Sequence, residues 1–447
     1  MISIHNNSKT EVSKKTITIF EHGFLPYDNE LLNNRDEIID LLGKLKSKGN
    51  KKIFTMYRDG IKASEQVGFV QVKDISIEIL PKIVKKSVIS QESESILSSR
   101  RNLLYMLQYC FDLPAFENEL ASMVSQKSNW FEILTFIFAN NLQILLEKGA
   151  HKQYIDIKEN MTTLKGKWLF TQHVRANPYQ KHRFFVKYDE FSMDNLLNQI
   201  LRFVTHKLKY QSKDVINRKK LHMLDMWMED VNLVQIINPS DFERMFFTRQ
   251  NVQFEPVINL AKLFILNQVI DVRMGNVKAF AFTFDMNLLF EQFVVKFLNE
   301  YKNKILPDRL KDCTIIPQAI GSIKYLAKMN NKLVFRMQPD IILKNPNLSI
   351  PVIIDTKYKI LNINYRKMNI KETDMYQMAA YLNTFDCNFC VLIYPQSIEI
   401  DKAIDRNFIL TSNNSIIKVA TIDLNKDLKN STHELIKDFR NILNGCN

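Results

Sequence analysis

The sequence predicts a multidomain α/β (α+β) protein, on three observations. Short strand-like segments fill the first hundred residues, apolar residues at helical spacing dominate the middle, and strands alternate with helices in the last third. At 447 residues the chain exceeds one ordinary core. We divide it into a β-rich N-terminal domain (1–100), a mostly helical middle region or arm (101–275) and a C-terminal mixed sheet flanked by helices (276–447).

In the first part Thr16–Phe20, Lys52–Met56, Val67–Val72 and Ile75–Leu80 read as strands around a charged, helical segment at 31–48. The last two strands meet at Lys73-Asp74, a tight hairpin, and Pro81 ends the second. Beyond residue 100 the period changes. Leu103, Leu104, Leu107 and Phe111 share a helix face, as do Phe131, Leu134, Ile137, Phe138 and Leu142. A less regular passage lies between 160 and 190, after which Ser192 or Asp194 caps a helix carrying Leu197, Ile200, Leu201, Val204 and Leu208. In the last part the spacing predicts a helix over 285–301, a strand near 314–319, a hairpin from Phe335 to Lys357, a helix over 372–384, and strands at 389–394 and 416–422. A final helix opens on a Ser431/Glu434 capping box.

Lysine and arginine outnumber the acids 61 to 48, a net charge of +13 that favours an anionic partner, nucleic acid before membrane. No run approaches the roughly 18 uncharged apolar residues of a membrane span, and no signal-peptide core opens the chain. Five cysteines make no disulfide framework in so long a chain. A cytoplasmic protein is expected.

The chemistry concentrates in the 335–357 hairpin. Its arms carry Pro339-Asp340 and Asp355-Thr356-Lys357, and strand alternation puts Asp355 and Lys357 on one face. Two carboxylates that hold Mg²⁺ suit phosphodiester hydrolysis, with Asp340 and Asp355 as ligands, the Thr356 backbone carbonyl as a third, and Lys357 to orient water or offset charge. Solvated strand-end acids beside an edge lysine are the bland alternative. Glu291 shares a stripe with Leu288, Val294, Val295 and Leu298, an acid on an otherwise apolar helix face. Gln377 and Tyr381, four apart, could bond a phosphate or base, or cap a core edge. Lys359, Arg366, Lys367 and Lys371 could contact phosphates, or form a solvated basic face. Cys387-x-x-Cys390 would need Cys313 and Cys446 from distant elements to hold an iron–sulphur cluster, so buried thiols are the simpler reading.

Taken in order, Glu291, Pro339-Asp340, Asp355-Thr356-Lys357 and Gln377-x-x-x-Tyr381 resemble the PD-(D/E)xK nuclease core in its RecB-like form. Val67-Gly-Phe-Val, Ile77-Glu-Ile-Leu-Pro-Lys82, Leu164-Lys-Gly-Lys with Gln172-His and Asn177, Tyr188-Asp-Glu-Phe-Ser-x-Asp194 with Leu197-Asn198, and Met286-Asn-x-Leu-Phe-Glu291 narrow the resemblance to the McrC family. The resemblance implies a restriction-endonuclease-like C-terminal domain with one or two Mg²⁺ ions and Glu291 among the acids. It also implies double-stranded DNA as substrate, and an N-terminal part that engages and stimulates a hexamer of McrB-like AAA+ GTPase subunits. The chain has no Gly-x-x-x-x-Gly-Lys-Ser/Thr loop, so a motor must come from another chain. An idle adaptor that assembles and stimulates a partner NTPase, and a stand-alone RecB-like repair nuclease, remain the alternatives.

Overall fold

The computed structural model describes residues 15–30, 32, 35–47, 50–82, 92–113, 129–274, 277–347, 349–359, 361, 368–396, 403–424 and 426–445. It divides into two compact units, Met1–Asp112 with Asn267–Asn447, and Leu113–Leu266. Among the described residues no helix is long and apolar enough to cross a membrane.

The first unit begins with β1 (Lys15–Phe20), β2 (Phe24–Pro26), α1 (Asp36–Lys44), β3 (Phe54–Met56), β4 (Gly60–Ala63), β5 (Gln66–Val72), β6 (Ile75–Leu80) and α2 (Glu92–Phe111). The expected β5–β6 hairpin forms, with Lys73 at a left-handed φ of 53° in its turn. β1 adds to β6 in parallel, and β2-β4-β3 make a small second sheet. Leu41, Leu42, Phe54, Ile61, Val70 and Ile77 are among the buried residues that fuse these pieces into one core.

The second unit contains α3 (Trp130–Lys148), β7 (Gln153–Met161), β8 (Lys167–Trp168), α4 (Phe170–Ala176), β9 (Phe184–Ser192), α5 (Leu196–Gln211), α6 (Val215–Trp227), α7 (Pro239–Glu243) and α8, which begins here (Glu255–Asn267). Its irregular passage is a three-stranded sheet ordered β7-β9-β8, with β7 and β9 paired over nine residues. These strands escape sequence reading because neither β7 nor β9 buries a continuous face, so no apolar alternation marks them. Gly166 turns the chain at φ 70°, where a Cβ would stand 2.5 Å from the Lys187 carbonyl oxygen. Asn160 and Asn177 exchange side-chain amide bonds of 2.6 and 2.7 Å. The cap of α5 is Asn195, accepting from the Asn198 N–H, and not Ser192 or Asp194.

The first unit resumes with β10 (Gln268–Met274), β11 (Val277–Asp285), α9 (Met286–Glu300), α10 (Lys302–Ile305), β12 (Thr314–Pro317), β13 (Lys324–Met329), β14 (Lys332–Met337), β15 (Ile341–Lys344), β16 (Val352–Thr356), α11 (Glu372–Phe385), β17 (Phe389–Pro395), β18 (Asp405–Ile409), β19 (Ile416–Ile422) and α12 (Thr432–Asn444). β10 and β11 complete the N-terminal sheet, ordered β1-β6-β5-β11-β10. β11 lies so close to β5 that a Cβ on Gly68 would meet the Phe282 carbonyl oxygen at 2.4 Å. A six-stranded mixed sheet follows in the order β12-β15-β16-β17-β19-β18, with β16, β17 and β19 parallel.

Two further local expectations are corrected. The 335–357 hairpin is two structures: β15 and β16 pair antiparallel as expected, but Phe335–Met337 belongs to β14, which pairs with β13 in a separate ribbon. Pro339 has no N–H to continue a ladder, and Phe335 takes a left-handed φ of 59°. The final helix forms with Ser431 as N-cap but without a side-chain cap, because Glu434 is held by Lys426 at 2.5 Å.

Candidate functional site

β16 is buried along its whole length, Val352-Ile-Ile supplying the apolar filling and Asp355-Thr356 the end. The Ile341↔Ile354 pairing, continued by one residue, sets Asp340 opposite Asp355. Asp340 Oδ2 accepts hydrogen bonds from both the Thr356 N–H and its Oγ1, each 2.7 Å, which fixes the acid against the strand end. Thr356 thus spends its N–H and hydroxyl on Asp340 and pairs with Ile393 of β17, and the Lys357 N–H donates to the Ile393 carbonyl at 2.9 Å. Lys357 Nζ lies 2.6 Å from Asp355 Oδ2 as an ion pair. Asp355 is almost wholly buried, so this ion pair is formed away from solvent.

Glu291 reaches the same end from α9. Its helix buries Met286, Leu289, Phe290, Phe293, Val294, Phe297 and Leu298, whereas Leu288 is exposed. The stripe that sequence reading drew through Leu288 is therefore displaced, and Glu291 stands half-buried at its border. Gln318, which the sequence did not single out, ties the acids together. At a left-handed φ of 49°, its N–H donates to the Asp340 carbonyl (2.7 Å) and its Nε2 to Glu291 Oε1 (3.0 Å).

The charges oppose one another. Burial first, then the Asp340 charge, pushes Asp355 up to about 7, although Lys357 partly offsets them. Burial also raises Asp340, against the two Thr356 hydrogen bonds, and raises Glu291, aided by Asp340. Burial pulls Lys357 down, but Asp355 and Asp340 outweigh it and hold its ammonium above the usual range. Buried acids that resist losing their protons and share the Lys357 ammonium fit a site completed by a divalent cation. Among the described residues no three His, Cys, Asp or Glu side chains are gathered around one point as ligands. Asp340 and Asp355 are the pair, and Glu291 is bound to Gln318.

The structure distributes the other sequence candidates differently. Gln377 Nε2 donates to Tyr381 Oη (2.7 Å), which donates to the Gln338 carbonyl (3.0 Å), and Tyr381 is buried. Tyr381 thus holds the backbone two residues before Asp340 and turns no free hydroxyl outward. Tyr381→Phe is expected to cost about 1 kcal/mol of stability, read from chemical denaturation. An unchanged stability would show that this hydroxyl does not hold the backbone before Asp340. Lys359 Nζ is 3.0 Å from Asp374, a buried acid in the first turn of α11 that sequence reading missed, so its charge is already partnered. Lys371 is exposed at the α11 N-cap, and Arg366 lies outside the described residues. Cys387 and Cys390 are buried and protonated, with burial pushing the Cys387 thiol up to about 11.

A second unforeseen contact reaches the segment after Lys357. Glu21, just beyond β1, accepts from Tyr358 Oη (2.6 Å) and the Lys82 N–H (2.7 Å). Burial is the main cause that pushes its carboxyl up to about 7. A folded pKa above the unfolded value means that stability falls as pH rises from about 4.5 to 7. Glu21→Gln is expected to keep the fold and to flatten the part of this decline due to Glu21, read as a smaller change in unfolding temperature between pH 5 and pH 8 than in wild type.

Fold and site together define a mixed α/β protein with two acids and a lysine gathered at the end of a buried sheet. The family model for the McrBC 5-methylcytosine restriction system component matches residues 61–395. The chain belongs to that family, in agreement with the McrC resemblance of its sequence. A chain in the refined half-complex from the tetradecameric assembly of Thermococcus gammatolerans McrB AAA+ hexamers with bound McrC has the same fold, at TM-score 0.66 and 22% identity, with 96% of this chain and 99% of that one covered. A chain of the cryo-EM McrBC complex from the same organism aligns at TM-score 0.49 and 25% identity, covering 64% of this chain and 88% of that one. No curated protein sequence matches significantly.

Proposed function

We propose that this restriction-system component is its DNA endonuclease subunit, cleaving phosphodiester bonds with Mg²⁺ at the Asp340–Asp355–Lys357 cluster of a PD-(D/E)xK-type domain. The observation that carries the reading is the buried Asp355 carboxylate, set opposite a second acid and ion-paired to a lysine. Asp340, Asp355 and the Thr356 carbonyl would hold one or two Mg²⁺ ions, with Glu291 on release from Gln318. The bound ion would neutralise charge on the scissile phosphate and lower the pKa of attacking water. Lys357 orients that water and offsets developing charge. Gln318 holds the Asp340 carbonyl and Tyr381 the Gln338 carbonyl, and burial keeps bulk water from Asp355.

The motor is assigned to a partner, an AAA+ GTPase hexamer of the McrB kind. Family membership supports this, as does the absence of a phosphate-binding loop in the sequence. The similar chain of known structure comes from an assembly of McrB hexamers with bound McrC. The β-rich N-terminal part and the middle region are then the surfaces that meet the motor. Reconstitution with the cognate GTPase, GTP and duplex DNA tests the proposal. Cleavage that requires Mg²⁺ and stops with EDTA supports it, whereas GTPase stimulation without cleavage would leave only an adaptor.

A further inference from the structure

Every residue of β13 and most of β14 are exposed. The ribbon they form takes its context from the proposed function. Asn330 and Asn331, at φ 49° and 60°, close it with a two-residue turn of the kind that matches strand twist. Its base is fixed: Met337 packs in the core with Tyr381 and Phe385, and Lys324 Nζ donates to the Thr384 carbonyl at 2.9 Å. The rest stands in solvent, including Phe335 (72% exposed), Met329 (63%) and Leu326 (55%). Residues 323–337 contain Lys324, Lys328, Lys332 and Arg336 and no acid. Arg336 is four residues before Asp340.

We infer that this ribbon is a duplex-DNA contact that lies along a groove and holds the substrate beside the acid cluster. The two strands of six residues span about 20 Å, and a two-stranded ribbon fits the major groove of B-DNA, about 12 Å wide. A sheet face that docks on protein segregates its apolar residues to one side. Here the Lys328↔Leu333 and Met329↔Lys332 pairs put a base and an apolar side chain on each face. Phosphate rails on both sides of a groove suit that arrangement, and the missing acids suit a polyanion.

The test measures binding of the full chain to a fluorescent 20-base-pair duplex in EDTA across a salt series. The variants are Lys328→Ala/Lys332→Ala/Arg336→Ala together, Lys328→Glu alone as a milder change, and Lys437→Ala, an exposed base on α12, as a control outside both the ribbon and the acid cluster. The triple variant is expected to bind about tenfold more weakly or worse, with the salt dependence reduced by about 2 to 3 units of slope. Lys328→Glu is expected to weaken binding in the same direction, and Lys437→Ala to leave affinity and salt slope close to wild type. Wild-type affinity and slope in both ribbon variants would overturn the inference, and would do so most plainly if they also lost a protein partner. Ribbon-dependent binding by a chain that never cleaves DNA with its motor and Mg²⁺ would instead overturn the nuclease reading and leave the ribbon contact standing.

Discussion

Asp355→Asn is expected to reduce Mg²⁺-dependent DNA cleavage by about 10³-fold or more while making the metal-free chain more stable at pH 8. The first effect follows from losing a charged ligand oxygen at the reaction centre, where a bound ion supplies several kcal/mol and each 1.36 kcal/mol is tenfold in rate. The second follows from the direction of the pKa change. Asp355 is pushed up to about 7 from an ordinary 3.8, so the folded chain holds the proton more tightly than the unfolded chain. Stability is then lost as pH rises between those values and stays lower above pH 7. Asparagine carries no charge to bury, so its unfolding temperature should exceed that of wild type at pH 8 and approach it at pH 4. An acid serving only the fold would show the opposite: lower stability on replacement and unchanged cleavage.

Lys357→Ala is expected to lower cleavage by at least about 10²-fold without weakening Mg²⁺ binding. The ammonium sits 2.6 Å from Asp355, where it competes electrostatically with any cation the acid holds. Removing it leaves Asp340 and Asp355 with less positive compensation, which favours the ion while taking away the group that handles water and charge in the reaction. Titration of Mg²⁺ into the variant, set beside its cleavage rate, separates these roles. Parallel loss of both would make Lys357 a scaffold for the acids. Unchanged cleavage would remove it from the mechanism.

The β16 strand was legible as a continuous apolar run after a polar turn, whereas its Asp-Thr-Lys end gained meaning only together with Glu291 and Gln377-x-x-x-Tyr381. The β5–β6 hairpin was legible through its turn. β11 was not: its Ala-Phe-Ala-Phe-Thr-Phe run is buried on both faces, so neither period appears. The β13–β14 ribbon lacks a buried face, and its Asn-Asn turn was the one signal that could have revealed it. Gln318, Asp374 and Glu21 had no local signature at all. Each acquires its place from residues far along the chain, Glu21 from Tyr358 most of all. Glu291 shows the intermediate case, since helical spacing put an acid near the apolar face but misplaced that face by one residue.

The central claim is that Asp340 and Asp355 form a cation site. Calorimetric titration of Mg²⁺ or Mn²⁺ into the full chain and into Asp355→Asn, at pH 6 and pH 8 in buffers of different ionisation enthalpy, measures it directly. The account predicts tighter binding at pH 8, proton release at pH 6, and loss of both in the variant. Equal affinity in the two chains, with no proton released, would contradict it.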